Sequence, residues 1–142
     1  MARLADSKLI KTPVIYDTRG NLSYIESGQN IPFEIKRVFY LFDVPGGTVR
    51  NGHAHHNLHQ VIFALSGSFD VVLDDGFDNQ RIQLNRAHNG LYLPNMIWRE
   101  LDNFSSGAIC MVVASTHYDA TDYIRSYDQY LNLNNPSKSI IV

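Results

Sequence analysis

Four histidines fall within seven residues of this chain: His53, His55, His56 and His59, in the stretch VRNGHAHHNLHQVIFALSGSFDVVLDDG from Val49 to Gly76. Imidazole titrates near neutral pH and ligates transition metals, so such a row can hold a metal, move a proton or sit solvated on a surface. His53 and His55 are two residues apart. On a strand they share a face, which the flanking pattern turns toward the interior, while His56 points away. Arginines accompany them. Arg50 lies three residues before His53, Arg37 heads RVFYLF, Arg19 precedes a glycine turn in DTRGNLSYIE, and Arg99 follows Trp98. Each guanidinium can grip two oxygens of an anion, so a shared site would suit a phosphate-bearing substrate. A histidine among fixed cations is equipped for proton transfer next to a carbonyl, with no metal and no redox cofactor.

The elements that must position these groups read as short strands. RVFYLFDV, QVIFALSG, SFDVVLDDG, RIQL, GLYLP and AICMVVAS are rich in branched and aromatic residues and are bounded by Gly, Asp, Asn and Pro. Ser66-Gly67 and Asp74-Asp75-Gly76 read as hairpin turns. The regular spacing predicts an all-β chain, a small antiparallel barrel or jelly roll. One helix is expected near the end, in DATDYIRSYDQYLNLN, with Asp119 or Thr121 as its N-cap and Tyr123, Ile124, Tyr127 and Leu131 at helical spacing. The polar segment from about residue 133, with Pro136, is expected to be loose.

The 142 residues fit one domain, 1–142, with 44% hydrophobic and 18% charged residues. A net charge of -2 offers no basic field for nucleic acid. MARLADSKLI lacks the apolar run of a signal peptide and no stretch is long enough to span a bilayer, so a cytoplasmic protein is expected. The single thiol, Cys110, lies in the apolar run AICMVVA and is expected to be buried and inert.

The histidine stretch resembles the first cupin motif, with Gly47 before His53-Ala54-His55 and Gly67 closing it. GLYLPNMIWRE, from Gly90 to Glu100, resembles the second, with Pro94 in place. In metal cupins two histidines, an acid and a third histidine are ligands. Here His59 or Gln60 falls at the acid position and Arg99 at the third-histidine position. A guanidinium cannot ligate a cation and repels one. A three-nitrogen set of His53, His55 and His59 remains open for a metal-dependent, dioxygenase-like enzyme.

Taken together, DTRGNL, IPFEIKRVFYLFD, RNGHAH with LHQ, GSFDVVLDDG, GLYLPNMIW and YDATDYIRSYDQY resemble the sugar 3,4-ketoisomerases that act on dTDP-4-keto-6-deoxyglucose. The likeness covers roughly residues 15–132. More remotely, the pattern is similar to the dTDP-sugar 3,5-epimerases, which share an Asp-x-Arg-Gly segment and an arginine three residues before a catalytic histidine. The resemblance implies a metal-free, cofactor-free, cupin-type (RmlC-like) barrel that dimerises by exchanging N-terminal strands. It implies His53 as catalytic base with His55 as its partner, and Arg19, Arg37 and Arg50 around the pyrophosphate and sugar. Trp98 is a candidate to stack on the thymine or sugar. The residue after it is His in some members and Arg in others, so Arg99 bears on pocket shape and product stereochemistry. Where the family has LEQ this chain has LHQ, with His59 replacing an acid. The alternatives are the metal enzyme, a 3,5-epimerase, and a binding module that holds a nucleotide sugar without chemistry.

Overall fold

The computed structural model describes residues 1–139. In chain order the strands are β1 (Lys8–Lys11), β2 (Val14–Ile15), β3 (Leu22–Ser23), β4 (Arg37–Leu41), β5 (Arg50–His55) and β6 (Gln60–Ser66). They continue as β7 (Phe69–Asp74), β8 (Asn79–Leu84), β9 (Asn89–Leu93), β10 (Trp98–Asp102), β11 (Ile109–Ala114) and β12 (Tyr123–Ile124). One sheet runs β1-β9-β6-β11-β4, the other β12-β5-β10-β7-β8, and β2 pairs with β3 as a separate ribbon. The strand pairings are antiparallel.

Alternation places the core. Ile62 and Ala64 of β6, Leu91 and Leu93 of β9, and Cys110 and Val112 of β11 meet Phe69, Val71 and Leu73 of β7 between the sheets. Fully burying side chains of this size contributes roughly 1.5–3 kcal/mol each. The intervening residues Val61, Phe63 and Val113 are also buried, because Ile25, Ile31, Phe33 and Ile35 lie over the outside of that sheet. A strand covered on both faces reads as an unbroken apolar run, as QVIFAL does. Cys110 is fully enclosed, and burial pushes its thiol up to about 12, so it stays protonated.

Three sequence expectations need correction. Asp74-Asp75-Gly76 does open a hairpin, since β7 and β8 pair from Asp74↔Asn79 onward. Ser66-Gly67 does not. β6 pairs with β9 and β11, so this turn carries the chain from one sheet to the other. Gly67 has φ +64, and a Cβ there would lie 2.4 Å from the Ser105 hydroxyl.

The helix is shorter than its apolar spacing predicts. Asp119 caps only a 3₁₀ turn, accepting from the Thr121 N–H, and Tyr123 and Ile124 are extended, paired with His55 and Ala54. Sheet pairing overrides a weak helical period. The helix α1 (Tyr127–Asn134) starts at Ser126, whose hydroxyl accepts from the Gln129 N–H.

The expected loose tail is held in place. Asn134 bonds Ala2 and the Asp75 carbonyl, Asn135 bonds the Gly76 carbonyl, and a further turn, α2 (Pro136–Ser139), follows. Residues 140–142 lie outside the described residues.

Candidate active site

β5 sets the site by alternation. Gly52 and Ala54 face outward. Ala54 packs with Trp98, Ile124 and Tyr130, and a Cβ on Gly52 would come within 2.5 Å of the Trp98 ring. His53 and His55 therefore face inward, their rings edge to face with centroids 4.9 Å apart.

His53 lines a cavity of about 490 Å³ between the sheets. Its apolar walls are Phe39, Leu41, Ile62, Leu101 and Val112, and its polar ones are Thr48, Arg50, His53, Gln60, Arg99, Glu100, Tyr123 and Arg125. Arg99 pairs directly with His53 across β10 and β5.

Arg99 is 2% exposed. Its guanidinium donates to the Gln60 side-chain oxygen at 2.6 Å and to the Ile97 carbonyl at 3.0 Å, while Nη2 is buried with no partner among the described residues. Burial lowers its pKa to about 10, so it remains a cation at neutral pH. A buried cation with a free donor on a cavity wall is matched to an anionic oxygen.

His55 lies behind His53 with no exposed surface. Its Nδ1 is 3.1 Å from an Asp122 carboxylate oxygen, and Nε2 is buried without a partner. Asp122 also accepts the backbone N–H groups of Asn57 and Leu58, which ties the loop after β5 to the 3₁₀ turn. Burial foremost, then the charges of Arg99, Arg37 and Arg125, push the His55 pKa down to about 3. The nearby carboxylate does not reverse this direction, because a second N–H⁺ at Nε2 would have no acceptor. The ring is neutral, with its proton on Nδ1 facing Asp122.

The folded pKa of His55 lies below the ordinary 6.5, so acid favours the unfolded chain as pH falls through 6.5 toward 3. Between pH 6.5 and about pH 5 this group alone is expected to remove about 2 kcal/mol. Urea midpoints against pH check this: His55→Gln should flatten the slope, and parallel curves for the two proteins would contradict it.

The other candidates separate. Arg50 lines the cavity. Arg37 lies on the inward side of β4 beside the cavity wall, its guanidinium 5.2 Å from the Phe39 ring and 5.5 Å from that of Tyr118, with Nε and Nη2 buried and unbonded.

Trp98 is not available for stacking on a ligand in the cavity. It is adjacent to Arg99 on β10 and so takes the opposite face, 7% exposed against Tyr127 and Tyr130. Arg19 is exposed in the turn between β2 and β3, held by Asp17, and does not reach this cavity within the chain.

His59 is not on the cavity wall. Its Nδ1 pairs with the Tyr92 hydroxyl at 2.8 Å, and among the described residues no three His, Cys, Asp or Glu side chains form a metal-holding group.

Sequence reasoning missed Tyr123, Asp122, Glu100 and Arg125, and placed Gln60 only as a candidate for the acid position of the first cupin motif. The signal available for the first two was the specific segment YDATDYIR, which a helical reading concealed.

Comparison with known proteins fits this geometry. The family model FdtA, described as WxcM-like, C-terminal, matches residues 5–135. The chain belongs to the FdtA family. It is 48% identical over 125 residues, 88% of this chain and 90% of the relative, to a TDP-4-oxo-6-deoxy-α-D-glucose-3,4-oxoisomerase of Aneurinibacillus thermoaerophilus.

Among solved structures it is similar to the TDP-quinovose 3,4-ketoisomerase WlaRB of Campylobacter jejuni, at 46% identity and TM-score 0.87, covering 91% of this chain and 99% of that one. It is similar too to a mutant of the 3,4-ketoisomerase QdtA of Thermoanaerobacterium thermosaccharolyticum in complex with TDP-4-keto-6-deoxyglucose. There the identity is 40% and the TM-score 0.92, over 94% of this chain and 97% of that one. The FdtA-family chain thus has the cupin-type barrel of sugar 3,4-ketoisomerases and is an isomerase of that class.

Proposed function

We propose that this FdtA-family protein moves the ketone of dTDP-4-keto-6-deoxyglucose from C4 to C3 through an enediol intermediate, without a metal, for the synthesis of deoxyamino sugars. The observation that carries the reading is His53 on the wall of a cavity it shares with Arg50, Arg99 and Arg125.

The C4 ketone acidifies the hydrogen on C3, and His53 takes that proton. Negative charge then develops on O4, where the open donor of Arg99 can meet it. His53 returns the proton at C4. His55, neutral and donating its Nδ1 proton to Asp122, supports the ring of His53 and transfers no proton to or from the sugar. Arg50 and Arg37 are assigned to the pyrophosphate. The nucleotide thereby supplies binding energy away from the reacting carbons.

Arg19 enters the site of a second subunit in this reading, through exchange of N-terminal strands in a homodimer. The ribbon that carries it leaves Ile15, Tyr16, Leu22 and Tyr24 exposed, as a segment built for burial against another copy would. A cytoplasmic setting completes the assignment.

Incubation with dTDP-4-keto-6-deoxyglucose and NMR of the product tests the function. A 3-keto product is expected. Unchanged sugar bound tightly would leave the binding module, and deuterium entering C5 in heavy water would mark an epimerase.

Strong chelators are expected to leave the rate unchanged, since His59 is engaged by Tyr92 and Arg99 faces His53. Activity lost on chelation and restored by zinc, iron or manganese would overturn the metal-free mechanism.

A further inference from the structure

Moving a ketone between neighbouring carbons relocates two protons. One passes from C3 to C4, and one passes from the oxygen on C3 to the oxygen on C4. His53 accounts for the first. The second needs a group that donates to one oxygen and accepts from the other at neutral pH.

The cavity walls offer few such groups. Arg50, Arg99 and Arg125 only donate. Glu100 follows Arg99 on β10 in register with Val72, so its carboxylate takes the face away from His53. The Gln60 amide does not ionise and its oxygen is held by Arg99, and a Thr48 alkoxide would be far too basic. His55 is enclosed and its proton faces Asp122.

Tyr123 remains. Its ring lines the cavity 5.2 Å from the ring of His53 and 4.4 Å from that of His55, measured between centroids. The Arg125 guanidinium lies 4.4 Å over the ring and favours negative charge on it. β12 pairs Tyr123 with His55, which holds its backbone in register with the histidine strand. No residue among those described holds its hydroxyl by a hydrogen bond.

We propose that Tyr123 carries the hydroxyl proton from O3 to O4, an assignment that rests on the ketoisomerase reading above. As His53 removes the C3 proton, the C–H electrons form the C3–C4 double bond, the carbonyl pair moves to O4, and O4 takes the proton of the Tyr123 hydroxyl. The phenolate then removes the proton from O3. That O–H pair forms the C3 carbonyl, and the double-bond electrons take the proton back from His53 at C4. Both side chains end as they began, and no other reactant is consumed.

The test separates the two transfers in heavy water. Wild type should form the 3-keto product and place deuterium at C3 of recovered substrate. Tyr123→Phe keeps His53 as base and Arg99 as its electrostatic support. Product formation should fall by about 100-fold or more, while deuterium entry at C3 stays within about tenfold of wild type and TDP binding within a few-fold. Tyr123→His, which also donates and accepts, should form at least about tenfold more product than the Phe variant, and it serves if that variant does not fold.

Near-normal product formation by Tyr123→Phe would overturn the proposal, as would a parallel fall in exchange and isomerisation or the absence of any gain with His. Wild type that neither exchanges nor isomerises would remove the ketoisomerase reading itself, and the proposal with it.

Discussion

Replacing His53 with Asn is expected to lower turnover by about 100- to 10,000-fold, the range for losing a general base, while TDP affinity changes by no more than about threefold. The two effects part because the residue sits at the reacting end of the cavity, whereas Arg50 and Arg37 are the groups assigned to phosphate. Asparagine is close in size and keeps a polar head, so the contacts with His55 and Tyr123 lose little packing. The measurement is single-turnover conversion followed by NMR, beside calorimetric titration with TDP. A variant with near-normal rate would remove His53 from the chemistry. A variant that no longer binds TDP would make it a binding residue.

The second large effect is on stability. Asp122→Ala is expected to cost about 3–5 kcal/mol, read as a drop in urea midpoint with an unchanged slope. Asp122 is one of few buried carboxylates, and it accepts from three donors: Asn57 N–H, Leu58 N–H and His55 Nδ1. Truncation leaves those donors facing an apolar methyl, and each unsatisfied buried donor costs about 1–3 kcal/mol. Asp122→Asn retains an accepting oxygen and should lose less than half as much. Equal losses for Ala and Asn would show that charge, not hydrogen bonding, holds the turn. A loss under about 1 kcal/mol for Ala would show that water replaces the carboxylate.

Much of this molecule was legible as pattern. Strands alternate by necessity, so His-x-His beside QVIFAL gave an inward pair, and the sheet class followed from short apolar runs between turn residues. What pattern could not show is which strand neighbours which. Ser66-Gly67 has hairpin chemistry, yet β7 crosses to the other sheet because its partners are β8 and β10.

Tyr123 and Ile124 match a helical period only by chance of spacing, and the open edge of β5 claims them as a strand. The same blindness removed Tyr123 and Asp122 from the candidate site. Arg19 is a different case. Its place in the chain was legible, but one copy of the fold leaves it at the surface.

Trp98 and Arg99 are chain neighbours with nothing else in common. One is wedged under the closing helix, the other is on the cavity wall, and a single peptide bond divides them. For an evolving lineage this arrangement separates inheritance from experiment. A codon change at 98 strikes the scaffold, since its ring already fills the space a Cβ on Gly52 would need. A codon change at 99 leaves that wedge untouched and alters what the cavity presents to its guest. New specificities can therefore be sampled at one position without disturbing the packing that the neighbouring one provides.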